Sequence, residues 1–179
     1  MADVGTGSAP GTGAGTPPES ATPRTLDDLS AQEIIAHLGL EPLDGEGCWW
    51  ALLHRSDAGN AIYALVTPQE FSALHLLAED ELWVHVAGEP VDLLVLHPDG
   101  RGERVLLGDG VAMTRADTVT SPAHLVPAGA WQGASVARGW GLVVCALAPP
   151  FSGFQLASRD DDFSAWPAHA ARIAELIRG

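Results

Sequence analysis

The stretch LHLLAEDELWVHVAG, residues 74–88, holds two imidazoles, His75 and His85, and three consecutive acids, Glu79, Asp80 and Glu81, among leucine, tryptophan and valine. Imidazole titrates near neutrality and binds first-row metals. Burial raises a carboxyl pKa and a neighbouring imidazolium lowers it, so a His75/Glu81 pair can be tuned to move protons at neutral pH. Adding His85 would give two imidazoles and one carboxylate, a set that holds a divalent metal. Side chains alternate along a strand, so Glu81, Trp83 and His85 share one face and Val84 takes the other. The plainer alternative is a hydrogen-bonded core histidine beside a solvated turn, and Glu79 and Asp80 fit such a turn. Cys48 and Cys145 read as buried small hydrophobes, since a nucleophilic thiol needs an adjacent base.

The elements that must position these residues are mostly strands. From Cys48 to about Leu147, short runs rich in Val, Leu and aromatic residues are broken by SDAGN, TPQ, AGEP, HPDGRG and VPAGA at strand-sized spacing, the texture of an all-β sandwich or barrel. Asp99-Gly100 is the strongest hairpin signal among them. Before this region, TLDDLSAQEIIAHLGL predicts a helix, with a capping box from Thr25 to Asp28, an apolar stripe of Leu29, Ile34, Ile35 and Leu38, and a stop at Gly39. After it, Pro167 suits a first helical position, and Ile173, Leu176 and Ile177 supply a packing face. His37, His97, His124 and His169 fall in helices and turns, where structural or exposed roles are expected.

Composition narrows the function classes. The formal net charge is −14, from 9 Lys+Arg against 23 Asp+Glu, which repels nucleic acid and anionic membrane surfaces alike. Two cysteines are too few for a disulfide framework, and no apolar run approaches the roughly 18 residues of a spanning helix. The first residues lack a basic segment followed by an apolar one, so the expected address is the cytoplasm. Residues 1–24 read as a disordered Gly/Ser/Thr/Pro-rich tail, and 25–179 as a single domain.

The order His75, Glu81, Gly88, then VPAGAWQGA, resembles the cupin superfamily. Its first motif, G-x5-H-x-H-x3,4-E-x6-G, is met by His75, Glu81 and Gly88, with Leu77 at the second His. Its second motif, G-x5-P-x-G-x2-H-x3-N, is met by Pro127 and Gly129, with Gln132 at the His. IAHLGLEP, AIYALVTPQEFSALHLLAEDELW, AGEPVDLLVLHPDG and LVPAGAWQGA are further similar to single-domain bacterial cupins labelled predicted sugar epimerases. That subgroup reads Glu-x-Trp-His where this chain has Glu81-Leu82-Trp83-Val84 and a displaced His85. It is polar where GCWWALLHRS places Ala51, Leu52 and Leu53 after Trp49 and Trp50.

The resemblance implies an all-β cupin jelly-roll β-barrel with an N-terminal helix and one or two C-terminal helices, assembled as a homodimer. It implies a small-molecule enzyme of isomerase, epimerase, cyclase or lyase type, with His75 and Glu81 catalytic and Trp50, Trp83, His85, Trp131 and Gln132 around the substrate. The apolar lining points to a substrate less polar than a nucleotide sugar, such as an intermediate of secondary metabolism. No cofactor, or one divalent metal on His75, Glu81 and His85, is expected, with the metal-free form preferred. A non-catalytic ligand-binding or assembly cupin and a metal-dependent cupin oxygenase stand as alternatives.

Overall fold

The computed structural model describes residues 24–109, 113–115 and 118–178. The tail expected over 1–24 lies, but for Arg24, outside the described residues. Two capping boxes follow one another at the start. Thr25 and Asp28 cap a 3-10 turn over Leu26–Asp28, while the helix α1, Ala31–Leu38, begins from a second box of Ser30 and Glu33. The sequence signal was therefore real but opened a shorter element, because the backbone at Leu29 is extended and the helix restarts at Ser30. Gly39 ends α1 with a left-handed φ of 65°, which a glycine adopts without strain.

The strands follow as β1 Glu41–Pro42, β2 Trp49–Ser56, β3 Gly59–Val66, β4 Ser72–Leu77, β5 Asp80–Gly88, β6 Val91–Leu96 and β7 Gly102–Leu107. The remainder are β8 Met113–Arg115, β9 Thr118–Ser121, β10 Ala123–Val126, β11 Trp131–Ser135, β12 Gly141–Ala148 and β13 Phe154–Leu156. They form two sheets in a jelly roll, one ordered β1-β2-β3-β12-β5-β10 and the other β13-β4-β11-β6-β7-β9-β8. Pairing is antiparallel except between β7 and β9. The hairpin at Asp99-Gly100 joins β6 to β7, with Gly100 at φ 87°. Pro167 opens a short 3-10 turn that leads into α2, Ala170–Leu176.

Alternation along these strands sorts the apolar residues into three layers. Trp83, Val95, Val105, Val126 and Val143 meet between the sheets. Leu74, Leu94 and Leu96 face outward from the second sheet and are covered by Ile173, Leu176 and Ile177. Leu65 and Leu142 face outward from the first sheet and are covered by Ile34 and Leu40. Each such buried side chain contributes roughly 1.5–3 kcal/mol of transfer free energy, so both helices are held chiefly by their apolar stripes. Among the described residues no helix is long and apolar enough to cross a membrane.

Candidate functional site

The two sheets place His75 and Glu81 in one interior layer. On the second sheet, β4 and β11 pair with His75 directly opposite Gln132, and both side chains point inward. On the first sheet, β5 directs Glu81 and Trp83 inward by alternation. A hydrogen-bond network joins the sheets across this layer. The Gln132 amide nitrogen donates to Glu81 Oε2 at 2.5 Å and lies 3.3 Å from His75 Nε2. The Trp83 indole N–H lies 3.1 Å from Glu81 Oε2 and 3.0 Å from Gln132 Oε1. His75 Nδ1–H donates to the Ala73 carbonyl at 2.8 Å, which leaves Nε2 as the lone-pair nitrogen facing the amide. His75, Glu81 and Gln132 are all buried.

A second carboxylate enters from a loop. Glu46 stands between Gly45 and Gly47, whose φ values of 84° and 109° are open to glycine and strained for other residues. Glu46 O accepts from Ala73 N at 3.0 Å, fixing the loop to β4. Its Oε1 accepts from the Ser72 hydroxyl at 2.5 Å and lies 3.8 Å from His75 Nδ1. Burial pushes the Glu81 carboxyl up to about 7. His75 opposes that rise, the charge of Glu46 adds to it, and the hydrogen bonds from Gln132 and Trp83 pull back. Burial likewise holds the Cys48 and Cys145 thiols well above their ordinary range, so both behave as small hydrophobes.

A cavity of about 230 Å³ opens onto this layer. His75, Glu81 and Glu46 lie among Trp50, Trp83, Ile62, Leu77, Phe151 and Phe154, and Phe154 meets the His75 ring edge-on at 6.1 Å. Such a site sets a carboxyl pushed up to about 7 beside an imidazole lone pair, in surroundings that exclude most water.

Of the residues singled out from sequence, His75, Glu81, Trp50 and Trp83 come together on the cavity wall. Gln132 stands behind them as the bridge, with no exposed surface. The structure places Trp131 elsewhere. It neighbours Gln132 on β11, so when one points inward the other points out, and Trp131 packs on Phe163 beneath the C-terminal helix at 5.5 Å. His85 does share the inward face of Glu81, yet four residues further along β5 corresponds to roughly 13 Å. There its ring meets the Glu89 carbonyl and the Asp109 carboxylate, each at 3.3 Å, and not His75. Glu46, Asn60, Arg55, Phe151 and Phe154 line the cavity without having been foreseen. Only the glycine pair around Glu46 was a usable signal, as a mark of an unusual backbone.

Residues 32–157 match the profile of the family described as cupin superfamily (DUF985). The chain belongs to the cupin superfamily. Among solved structures, this cupin is similar to a hypothetical protein from Leishmania major at 29% identity, with a TM-score of 0.71, 84% of this chain and 100% of that one covered. It is equally 29% identical to protein SO0799 from Shewanella oneidensis, with a TM-score of 0.74 and coverage of 84% and 98%. A cupin 2 conserved barrel domain protein from Rhodopseudomonas palustris, at 19% identity and a TM-score of 0.53 over 78% of this chain and 88% of that one, shares the fold. No curated protein sequence matches the chain.

Many cupins hold a metal, and the four general ligand positions in this one are His75, Leu77, Glu81 and Gln132. Leu77 brings no donor atom, and the Gln132 amide is already engaged by Glu81 and Trp83. Among the described residues no three His, Cys, Asp or Glu side chains converge in a way that could hold a metal ion. The donor set does not fit a two-histidine metal centre.

Proposed function

We propose that this cupin is an acid–base enzyme acting on a small organic molecule, of isomerase, epimerase, cyclase or lyase type, and working without a metal. The observation that carries this reading is the pair of His75 and Glu81, bridged by one amide at the base of an apolar cavity, with the carboxyl titrating at about 7. A carboxyl poised there takes a proton from an activated C–H when ionised and returns it when protonated. His75, through the lone pair of Nε2, serves as the partner that accepts the second proton. Gln132 positions both without titrating itself.

Trp50, Ile62, Phe151 and Phe154 favour a substrate less polar than a nucleotide sugar, so the sugar-epimerase label fits this member less well than a hydrophobic intermediate of secondary metabolism. A cytoplasmic homodimer is the setting of this reading. Leu82, Val86 and Leu125 are exposed large hydrophobics on β5 and the edge strand β10, and Leu82 pairs with Leu125, which supports burial of that face by a second copy.

The test is incorporation of deuterium from heavy water into a panel of small carbonyl compounds, read by mass spectrometry. Glu81→Gln and His75→Ala should each slow exchange by about a hundredfold or more. Undiminished exchange in both variants removes the mechanism. A second reading, a cupin that binds a small ligand without turnover, draws on Leu77 and Gln132 at two ligand positions. It predicts ligand binding with no exchange in the unsubstituted protein. A metal-dependent oxygenase would instead carry stoichiometric metal when purified without chelators.

A further inference from the structure

Arg55, an exposed residue near the end of β2, lines the same cavity, and the register Arg55–Asn60–Leu147–Glu81 sets it three strand spacings, roughly 14 Å, from Glu81. All nine basic residues of this chain are arginines, set against 23 acids. In so acidic a protein an arginine readily finds a carboxylate. Among the described residues Arg24, Arg101, Arg104, Arg138, Arg172 and Arg178 each do. Arg55 and Arg159 have no such partner among the described residues, and Arg159 borders a separate groove by the C-terminal helix. The one side-chain hydrogen bond of Arg55 among those residues is a long one, donated at 3.5 Å to the Phe151 carbonyl. The guanidinium of this exposed arginine therefore has most of its five donors without a partner among the described residues, at the edge of an apolar cavity.

The wall next to it is fixed. Phe151 N–H donates to Asn60 Oδ1 at 2.6 Å, tying that segment to β3, and Leu52, on the same strand as Arg55, is 54% exposed at the rim. We infer that the cavity takes a compact amphiphilic carboxylate, its anionic head paired with Arg55 at the mouth and its apolar body between Leu52, Ile62 and Phe151. This rests on the reading of the cavity as a small-molecule site. The opposite orientation would press the head against Glu46 and Glu81, two carboxyls whose mutual effect already raises one of them. Head at the mouth and reactive carbon at the base is the arrangement in which charges attract throughout. Arg55 would thus set both the class of substrate and its direction of entry.

The experiment is calorimetric titration of the full chain with octanoate, octanamide and octylamine, which share one body and differ in the charge of the head. Octanoate should bind about tenfold more tightly than either of the others. Arg55→Gln should bring octanoate down to the level of octanamide while leaving octanamide unchanged, and Arg55→Lys should keep part of the preference. Circular dichroism of each variant confirms that its fold is retained. Equal binding of octanoate and octanamide, tightest binding of octylamine, no saturable binding of any of the three, or a preference that survives Arg55→Gln would each overturn the inference. The Glu81→Gln protein separates it from the catalytic reading. There the carboxylate preference should persist although proton exchange is lost, so either idea can fail while the other stands.

Discussion

Replacing Glu81 by glutamine keeps the shape of the side chain and removes its charge, which makes the buried carboxyl measurable without a substrate. Burial raises its pKa from the ordinary 4.5 to about 7. The folded protein therefore holds this proton to higher pH than the unfolded chain does. Stability is unaffected below about 4.5, falls as pH rises toward about 7, and is lower by a constant amount above that. A rise from 4.5 to about 7 corresponds to roughly 3 kcal/mol at 1.36 kcal/mol for each pH unit. The amide introduced by Glu81→Gln does not titrate, so the stability of that variant relative to the unsubstituted protein should climb by up to that amount between about pH 4.5 and about pH 8. In a chain of this length the same change is worth about 6–12 °C in melting temperature. Urea unfolding followed by circular dichroism across that range gives the difference directly. A difference that stays flat with pH, or falls, refutes the claim that Glu81 is held protonated by burial.

Gln132→Leu removes an amide donor that lowers the Glu81 pKa, so that pKa should move above 7, seen by carbon NMR of labelled glutamate. Trp131→Ala should cost about 3 kcal/mol by emptying the contact with Phe163 and the C-terminal helix, while leaving octanoate affinity intact. On the proposed dimer, Leu125→Asp should shift the sedimentation of the protein to that of a monomer, through charge placed on the exposed face of β10, without lowering the melting temperature.

Much of the barrel was legible because strand alternation and turn residues are local signals. Asp99-Gly100, Gly39 and Pro167 did what their chemistry dictates. Ile173, Leu176 and Ile177 face the sheet as their spacing indicates. The same period-2 rule put Glu81, Trp83 and His85 on one face, but face is not position, and strand rise carried His85 out of reach. Applied to β11, the rule also separates Trp131 from Gln132, which motif matching alone had grouped together. The rest of the cavity was hidden for a physical reason. Glu46 lies in a loop and Phe151 between β12 and β13, while Arg55 follows a register shift between Leu52 and His54 that plain alternation along β2 does not anticipate. The side-chain direction of a loop residue follows from tertiary contacts that no repeat announces.

The manner in which Glu46 arrives has a consequence for how such a pocket can change over generations. Glu81 is locked to its neighbours by the ladder of β5, so relocating it means re-registering a strand and turning every alternate side chain over. Glu46 hangs from a short turn hinged on two glycines and fastened at one backbone bond to β4. Insertion, deletion or replacement within that turn can add, withdraw or reverse a charge beside His75 while the barrel stays as it is. One acid of the site is inherited with the scaffold and the other is replaceable, which gives descendants of this protein a short route to new proton chemistry inside an unchanged fold.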